Sequence, residues 1–312
     1  MPSSNKFRFG AQIYKAATAR QWTETARKVE DLGYSSFLVP DHFSEMVAPI
    51  PGMMSAASAT SKLRVGSLVI DNDYRHPVVL AKEAATLDLL SDGRLELGLG
   101  AGWMISDYEQ AGMPYDPVGI RISRFEEGLK IIKGLFEDGP FSFSGKYYNI
   151  ANLEGTPKPV QKPHPPIIIG GGGKRILSIA AREADIINVN FSMTAGAIMA
   201  EATATGSAEA TAQKIEWVKS AAGDRLRDIE LSVTVFAAAV TEHREQAAAQ
   251  IAAGFKASPE MVLNSPHVLI GTIESITEEV ERRREQYGFC YVIFGGDTWE
   301  ALAPVVNRLA GK

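Results

Sequence analysis

The chain has 312 residues, 45% of them hydrophobic and 22% charged, and a formal net charge of −5 at pH 7. This composition is typical of a globular protein, and the length suits either one α/β barrel or two ordinary domains. The negative charge and the scattered basic residues argue against a nucleic-acid-binding protein. The only tight basic run, at positions 282–284, is predicted to be the solvated face of a helix.

Cysteine content and hydropathy narrow the class further. Cys290 is the only cysteine, which excludes an internal disulfide and a cysteine-based zinc site, and its apolar neighbours predict a buried strand thiol. The N-terminal segment lacks an apolar stretch of signal-peptide length, and no uncharged apolar run approaches the ~18 residues of a membrane span. We therefore expect a soluble cytoplasmic protein with no membrane partner.

Strand-like and helix-like segments alternate from end to end. In chain order we expect a strand at 6–13, a helix at 22–32, strands at 35–40 and 63–70, a helix at 77–90, a strand at 95–100, a helix at 121–136, a hairpin at 141–150, a strand at 167–169, a helix at 174–184, strands within 184–190 and 229–240, a strand at 289–294 and a helix ending at 309. Eight strands separated by helices predict a parallel sheet. At this length they predict a single closed (β/α)8 TIM barrel domain over residues 1–312.

An open doubly wound sheet is the alternative, because hydrophobic periodicity does not report closure. The Ala/Thr/Ser-rich stretch 194–211 is predicted to be a mobile segment over the barrel mouth. Active sites of barrels lie where strands end and loops begin, so residues just after strands are the first candidates for chemistry.

The stretch 74–103 is predicted to form a loop, a helix and a strand that ends in glycines. Pro77 suits the first helical turn, because its missing N–H has no helical partner there. In the strand, leucines at 95, 97 and 99 alternate with Glu96, Gly98 and Gly100, so the leucines should face covering helices. The glycines are expected to leave space on the other face, where a flat ring can approach the backbone.

A second glycine-rich segment follows the buried strand 167–169. Gly170, Gly171, Gly172 and Gly173, here named the glycine loop, separate this strand from a helix. Exposed amides and the helix dipole predict a phosphate cradle, to which Lys174 would add a charge. A tight turn without a ligand is the alternative, although four glycines exceed what a turn requires. The spacing matches neither a P-loop nor a dinucleotide fingerprint.

Asp41 and His42 follow the second strand and form the candidate catalytic pair. Histidine transfers protons near neutral pH, although a packing role fits equally well. His76 precedes the helix-starting proline and is expected to satisfy free helix amides rather than to catalyse. Acidic residues at 71, 73, 107, 109 and 116 are possible acids, but their spacing fits no metal-binding motif, and most are expected to be solvated or capping.

Other residues at strand ends are candidates for a cofactor or substrate cavity. Gln12 ends strand one and can hydrogen-bond a ring carbonyl, while Leu68 and Val69 end strand three, where plain β core is the alternative. Ala101 and Gly102 permit close approach to a ligand. Trp103 is predicted to wall a substrate cavity, or else to pack beneath a loop.

These motifs together resemble the luciferase-like flavin monooxygenase and deazaflavin (coenzyme F420) oxidoreductase superfamily. The resemblance extends over almost the whole chain and rests on Leu32-Gly33-Tyr34, Asp41-His42, the stretch 74–103, Lys158-Pro159-Val160-Gln161 and Ile169-Gly170-Gly171-Gly172. It implies a bacterial luciferase-like (β/α)8 barrel with insertion segments at the C-terminal mouth, usually dimeric, and FMN or F420 bound at that mouth. It also implies a non-proline cis peptide at Leu68–Val69 behind the ring, cofactor phosphate on the glycine loop, and His42 at the reactive edge of the ring.

Two departures from the family pattern bear on activity. Bacterial luciferases carry Glu-His-His where this chain has Asp41-His42-Phe43, and the deazaflavin sugar-phosphate dehydrogenases carry glutamate where this chain has Trp103. The form Asp71-Asn72-Asp73-Tyr74-Arg75-His76-Pro77 looks like that of an actinobacterial-type branch usually labelled as F420-dependent oxidoreductases, so the resemblance points to another F420-dependent oxidoreductase. Such an enzyme would move a hydride between deazaflavin C5 and a carbonyl, imine or activated alkene, with Trp103 and Phe43 lining the substrate pocket of a homodimer.

Three alternatives stay open. The first is an FMN-dependent monooxygenase that uses reduced flavin and oxygen. The second is a cofactor-binding protein without turnover. The third, a phosphate-sugar isomerase or aldolase, requires a Schiff-base lysine or a metal cluster, and the sequence places neither convincingly.

Overall fold

The computed structural model describes residues 6–193, 196–197, 200–255 and 257–312. Within them lie thirteen strands: β1 (Arg8–Gln12), β2 (Ser36–Val39), β3 (Arg64–Ser67), β4 (Ile70–Asp71), β5 (Leu95–Gly100), β6 (Pro140–Ser144), β7 (Asn149–Glu154), β8 (Ile167–Gly171), β9 (Ile186–Val189), β10 (Glu230–Val235), β11 (Ala237–Val240), β12 (Val268–Gly271) and β13 (Phe289–Gly295). The same residues form twelve α-helices: α1 (Ala19–Asp31), α2 (Pro49–Ala59), α3 (Pro77–Leu90), α4 (Ile105–Ala111), α5 (Val118–Phe136), α6 (Lys174–Glu183), α7 (Ala200–Ala204), α8 (Ala208–Ala222), α9 (Arg244–Phe255), α10 (Pro259–Asn264), α11 (Ile273–Tyr287) and α12 (Thr298–Leu309).

Two expectations fall partly outside this description. The prediction for the N-terminal segment concerns residues 1–5, which lie outside the described residues. The predicted mobile stretch 194–211 includes positions 194, 195, 198 and 199, which also lie outside them. The described remainder of that stretch is helical over α7 and the start of α8.

The strand order confirms the predicted barrel. Among the described strands, nine form one sheet in the order β3-β2-β1-β13-β10-β9-β8-β5-β4, and β3 also pairs with β5. This additional pairing closes eight of the strands into a ring, so the fold is the (β/α)8 TIM barrel and not an open sheet. Neighbouring strands run parallel, as in β1–β13, where Arg8 lies opposite Tyr291, and β3–β5, where Val65 lies opposite Leu95.

Helix α3 begins as the sequence predicts. Pro77 is its first residue, and Nδ1 of His76 accepts a hydrogen bond from the amide of Val78 at 3.2 Å. His76 is therefore a capping residue, in agreement with its predicted structural role. Gly93 follows the helix with a φ of 74°, a conformation that favours glycine over residues with a side chain.

The chain divides into two compact units. The first comprises Met1–Ile13, Lys28–Ser36 and Ile169–Lys312, and the second comprises Tyr14–Arg27 and Phe37–Ile168. In the first, the hydroxyl of Tyr34 donates to the carbonyl of Trp299 at 2.5 Å. In the second, Trp22 meets Phe37 edge-on at 5.0 Å between ring centroids. Each unit thus contains its own aromatic core.

The basic run at 282–284 was predicted to be solvated, and for Arg283 this prediction is wrong. Arg283 is 5% exposed because it shares a helix face with the buried Ile276 and Val280 at three- and four-residue spacing. Its guanidinium group donates hydrogen bonds to the carbonyls of Ser265, Pro266 and Val268 and to the carboxylate of Glu279.

Two simpler expectations concern cysteine and hydropathy. Cys290 is buried in β13, as predicted. None of the described helices is long and apolar enough to cross a bilayer.

Candidate active site

His42 lies just after β2, at the carboxyl end of a barrel strand. Its Nδ1 is 2.7 Å from Oδ2 of Asp107, and the two side chains are 17% and 3% exposed. Because an ionised carboxylate can only accept hydrogen bonds, Nδ1 of a neutral His42 carries the hydrogen and Nε2 is the basic nitrogen. Nε2 has no hydrogen-bond partner among the residues that the structure describes. His42 is thus fixed in orientation with one nitrogen available for proton transfer.

Asp107 was among the possible acids of the sequence, but its pairing with His42 was not predicted. It was expected among the mostly solvated or capping acids, but it is 2% exposed in the first turn of α4. Its Oδ2 also accepts a hydrogen bond from the hydroxyl of Tyr74 at 3.2 Å. The sequence showed only an acidic residue in the first turn of a helix that follows a strand-end loop. This pattern does not predict which side chain the carboxylate contacts.

Asp41, the other half of the predicted catalytic pair, has a different partner. Its Oδ2 accepts a hydrogen bond from Nη1 of Arg75 at 2.5 Å and from the amide of Asp71 at 3.1 Å. The carboxylate is 5% exposed, so this ion pair is largely removed from water. Asp41, which follows β2, therefore holds this segment against the end of β4 and the loop after it. The structure pairs His42 with Asp107 instead.

A buried carboxylate network lies beside this ion pair. Asp71 accepts hydrogen bonds from the amide of Asp73 at 2.9 Å and from the hydroxyl of Tyr108 at 3.0 Å. Asp73 binds Arg124 through both carboxylate oxygens, at 2.7 and 2.8 Å. Burial raises the pKa of Asp71 from 3.8 to about 7, with repulsion from the neighbouring Asp73 and Asp41 adding to the shift. Asp71 consequently exchanges its proton near neutral pH.

Replacing Asp71 with asparagine is expected to remove a pH-dependent loss of stability. A carboxyl whose pKa is raised on folding keeps its proton at pH values where the unfolded chain has lost it. The free energy of unfolding therefore falls as the pH rises from about 4 to about 7. At pH values above about 7, this pKa shift lowers the free energy of unfolding by at most about 4 kcal/mol. Urea unfolding at about pH 5 and about pH 8 measures it, and an equal effect of Asp71→Asn at both values would contradict the assignment.

Aromatic side chains surround the His42–Asp107 pair. Trp103 meets the imidazole of His42 edge-on, with ring centroids 5.5 Å apart. Phe43 stacks on Tyr74 at 4.5 Å between centroids and is 48% exposed. Of the two predicted substrate-pocket residues, Trp103 thus contacts His42 itself, whereas Phe43 contacts Tyr74, whose hydroxyl binds Asp107. An apolar, partly open wall of this kind lowers the local water content around a proton-transfer group.

Strand three is interrupted where the resemblance implied. The Leu68–Val69 peptide is cis, between the end of β3 and the start of β4. The expected empty space beside Gly98 and Gly100 is absent, because a Cβ on Gly98 would collide with the carbonyl oxygen of Ser67 and one on Gly100 with the side chain of Val69. The bulge itself occupies this space, so Val69, which is only half-buried, forms the accessible surface.

Ser67 completes the hydrogen bonding beside this bulge. Its hydroxyl donates to the carbonyl of Gly98 at 2.8 Å and accepts from the amide of the same residue at 2.9 Å. A side chain thus satisfies both main-chain groups of a buried glycine in β5.

The segment that follows β5 is held by hydrogen bonds from the buried Arg121. Nη1 of Arg121 donates to the carbonyls of Ala101, at 3.3 Å, and Gly102. Gly102 has a φ of 71°, and a Cβ there would collide with the hydroxyl of Tyr108 and the carboxylate of Asp71. Ala101 and Gly102 are therefore rigid, half-buried backbone positions directly before Trp103.

The glycine loop is described within the first unit alone. Gly170 and Gly171 end β8, Gly172 is buried, and Gly173 is the N-cap of α6 without a side-chain cap. A Cβ on Gly172 would collide with main-chain carbonyls, whereas one on Gly173 would meet nothing within 4 Å. The loop therefore combines tight backbone support at one glycine with an open helix N-terminus at the next, which suits an anion such as phosphate.

Two further predicted cofactor residues lie at element ends of the first unit. Lys174 is the first residue of α6, and its side chain is exposed. Gln12 is the last residue of β1, lies opposite Gly295 of β13 and is 6% exposed. Both lie at the carboxyl-terminal side of barrel strands, where ligand-binding residues of this fold occur.

Comparison with known proteins identifies the family. The luciferase-like monooxygenase family matches residues 4–288. The chain belongs to this family. The match is with a family that contains different activities, so membership establishes ancestry and fold, not a reaction.

Individual relatives use different cofactors. An FMNH(2)-dependent dimethylsulfone monooxygenase of Pseudomonas putida is 31% identical over 157 residues, which are 48% of this chain and 43% of the relative. A 5,10-methylenetetrahydromethanopterin reductase of Methanopyrus kandleri is 26% identical over 294 residues, 90% of this chain and 78% of the relative. The chain spans only about half of the length of the dimethylsulfone monooxygenase, and the same holds for one further curated relative.

A solved structure extends the likeness over the whole chain. The coenzyme F420 dependent tetrahydromethanopterin reductase of Methanopyrus kandleri superposes with a TM-score of 0.79 at 18% identity and covers 98% of this chain and 99% of its own. This likeness confirms the barrel fold. The relatives are oxidoreductases and monooxygenases, which supports an enzyme.

Proposed function

We propose that this protein is an F420-dependent oxidoreductase that transfers a hydride between deazaflavin C5 and a small organic substrate bearing a carbonyl, imine or activated alkene. The observation that carries the proposal is the His42–Asp107 pair, in which a buried carboxylate holds Nδ1 at 2.7 Å and Nε2 is left for proton transfer. The choice of F420 is supported by a relative named F420-dependent glucose-6-phosphate dehydrogenase, which is 30% identical over 184 residues, or 55% of this chain.

The residues present fit such a cofactor in two separate places. In the first unit, Gly173 opens the N-terminus of α6 without a side chain in the way, so that the glycine loop would hold a phosphate. In the second unit, Val69 forms the accessible surface of the bulge, against which a flat ring would pack. When bound, the deazaflavin supplies the hydride chemistry itself.

The chain's own residues would manage the proton and the solvent. Nε2 of His42 would give a proton to the substrate oxygen or nitrogen, or take one from it, while Asp107 holds the opposite nitrogen. Trp103 and Phe43 would exclude water from the reacting groups. Asp41, paired with Arg75, would act as a positioning residue for the segment that carries His42.

Titration with cofactors tests the proposal. We expect purified protein to bind F420 tightly enough to quench its fluorescence, and Gly173→Asp to weaken that affinity by about tenfold or more. Aspartate is a good N-cap and meets no steric obstacle at this position, so the variant should fold while its charge repels phosphate.

The control variant Gly173→Ser adds a cap without a charge and is expected to retain most of the affinity. Tight binding of FMN with no affinity for F420 would overturn the choice of cofactor. Equal affinities of wild type and Gly173→Asp would remove the glycine loop from the phosphate site.

An FMN-dependent monooxygenase that uses reduced flavin and oxygen is the second candidate. It is favoured by the relative that is 31% identical over 48% of this chain. Oxygen consumption upon addition of reduced FMN and a substrate panel discriminates the two, because the F420-dependent reaction consumes no oxygen.

A further inference from the structure

Lys214 is a buried lysine in the first unit whose charge has no acidic partner. It is 2% exposed, on the inner face of α8. Its Nζ donates hydrogen bonds to the carbonyls of Asn190, at 2.7 Å, and Thr205, at 2.5 Å. Within the described residues, no carboxylate forms an ion pair with it.

A buried lysine without an acidic partner lowers the stability of a folded protein, because its charge loses its hydration. Burial lowers the pKa of Lys214 to about 8, which means that the surroundings disfavour its charged form. Carbonyl dipoles compensate only in part for the lost hydration of an ammonium group. A methionine of similar length would fill the same volume without this cost. A role in function is therefore the more economical reason for a lysine at this position.

The hydrogen bonds of Lys214 lead to the glycine loop. The amide of Asn190 donates to the carbonyl of Gly171 at 2.9 Å. The main-chain carbonyls of Asn190 and Phe191 occupy the place where a Cβ of Gly172 would lie. The backbone at Asn190 and Phe191 thus packs against the glycine loop, and Lys214 holds this backbone through its hydrogen bond to the Asn190 carbonyl.

Lys214 also places a positive charge beside the carbonyl oxygens that face Gly172. Carbonyl oxygens carry partial negative charge, and two of them face Gly172 from Asn190 and Phe191. Any anion bound close to these two oxygens would be repelled by them. The ammonium group on the Asn190 oxygen offsets that repulsion, and because it is buried, salt screens it only weakly.

We propose that Lys214 is a positioning residue for the cofactor phosphate, which acts by fixing the Asn190–Phe191 backbone under the glycine loop and by neutralising the carbonyl facing it. This inference rests on the proposed function, since it assumes that the glycine loop binds a phosphate. It concerns only residues of the first unit and predicts an effect confined to the phosphate end of the cofactor.

A comparison of cofactors with and without phosphate isolates this effect. Lys214→Met is expected to weaken the binding of F420 and of FMN by about tenfold or more, and to leave riboflavin and the phosphate-free deazaflavin riboside within about threefold of wild type. The matched control is Lys219→Met on the same helix, where the lysine is exposed and pairs with Glu216, and it should change none of these affinities.

A second measurement separates this role from a structural one. Lys214→Met removes a costly buried charge but also leaves the carbonyls of Asn190 and Thr205 without their donor, so urea unfolding is measured beside binding, and the variant is expected to stay folded under the binding conditions. If the methionine variant does not fold, Lys214→Gln, which keeps hydrogen-bond donors without the charge, is measured in the same way and should lose the same preference for phosphate.

Each outcome decides between the possibilities. Equal weakening of phosphate-bearing and phosphate-free compounds, or no weakening of either, would overturn the role of Lys214 while leaving the proposed function intact. If the wild-type protein binds neither F420 nor FMN, the proposed function fails, and the inference fails with it.

Discussion

Replacing His42 with alanine is expected to lower substrate turnover by about a hundredfold to ten-thousandfold, the usual contribution of a positioned acid–base group. Asp107→Asn should lower substrate turnover by about a hundredfold or more, although the imidazole of His42 stays in place. The asparagine amide can donate to Nδ1, which would place the hydrogen on Nε2 and reverse the roles of the two nitrogens. The measurement is kcat and its pH profile with F420 and a substrate found in a panel of alcohols, aldehydes, imines and activated alkenes.

The control is a second histidine of the same unit. His76 caps α3 through Nδ1 and packs its ring against Tyr148, so His76→Ala should lower stability slightly and leave kcat within about threefold. Full turnover in His42→Ala would assign the proton to another group. An Asp107→Asn variant with wild-type kcat and an unchanged pH profile would show that Asp107 does not set the tautomer of His42.

Gly98→Ala is expected to destabilise the protein by about 3 kcal/mol or more. The new Cβ would collide with the carbonyl oxygen of Ser67, which is main chain and cannot rotate away. The side chain of Val69 lies 3.2 Å from the same point, so relief in that direction would displace the bulge. Urea unfolding of the purified variant measures the loss.

Gly254→Ala provides the comparison. Gly254 lies in α9, and a Cβ there would meet nothing within 4 Å. Because alanine favours helix over glycine, this substitution should raise the free energy of unfolding by up to about 1 kcal/mol. If Gly98→Ala unfolds within about 1 kcal/mol of wild type, the close packing of β5 against the bulge does not hold in solution.

The barrel could be predicted from sequence because its strands are bounded by strong local signals. Buried runs stop at glycine or proline, as at Gly100 and Gly170, and helices begin at residues such as Pro77. Local pattern did not reveal β12 or the small α9–α10 segment, since short elements of mixed composition lack a clear period.

The site was only half predictable, for a different reason. His42 and Trp103 were found because they follow strands whose ends meet at one edge of the barrel. The partner of His42 was not, since Asp107 is separated from it by 65 residues and resembles its acidic neighbours at 109 and 116 in type. Which carboxylate is turned inward depends on how α4 packs, and this packing is a tertiary effect. For the same reason the bulge, rather than empty space, was found beside Gly98.

The double hydrogen bond of Ser67 restricts how this chain can diverge over evolutionary time. Only a residue with a hydroxyl at the β-carbon can both give to and receive from Gly98, so threonine is the one ordinary replacement. Alanine or valine would leave two interior peptide groups unbonded. Lineages descended from this protein are therefore free to exchange exposed positions such as Phe43 and acquire new substrates, while position 67 stays serine or threonine.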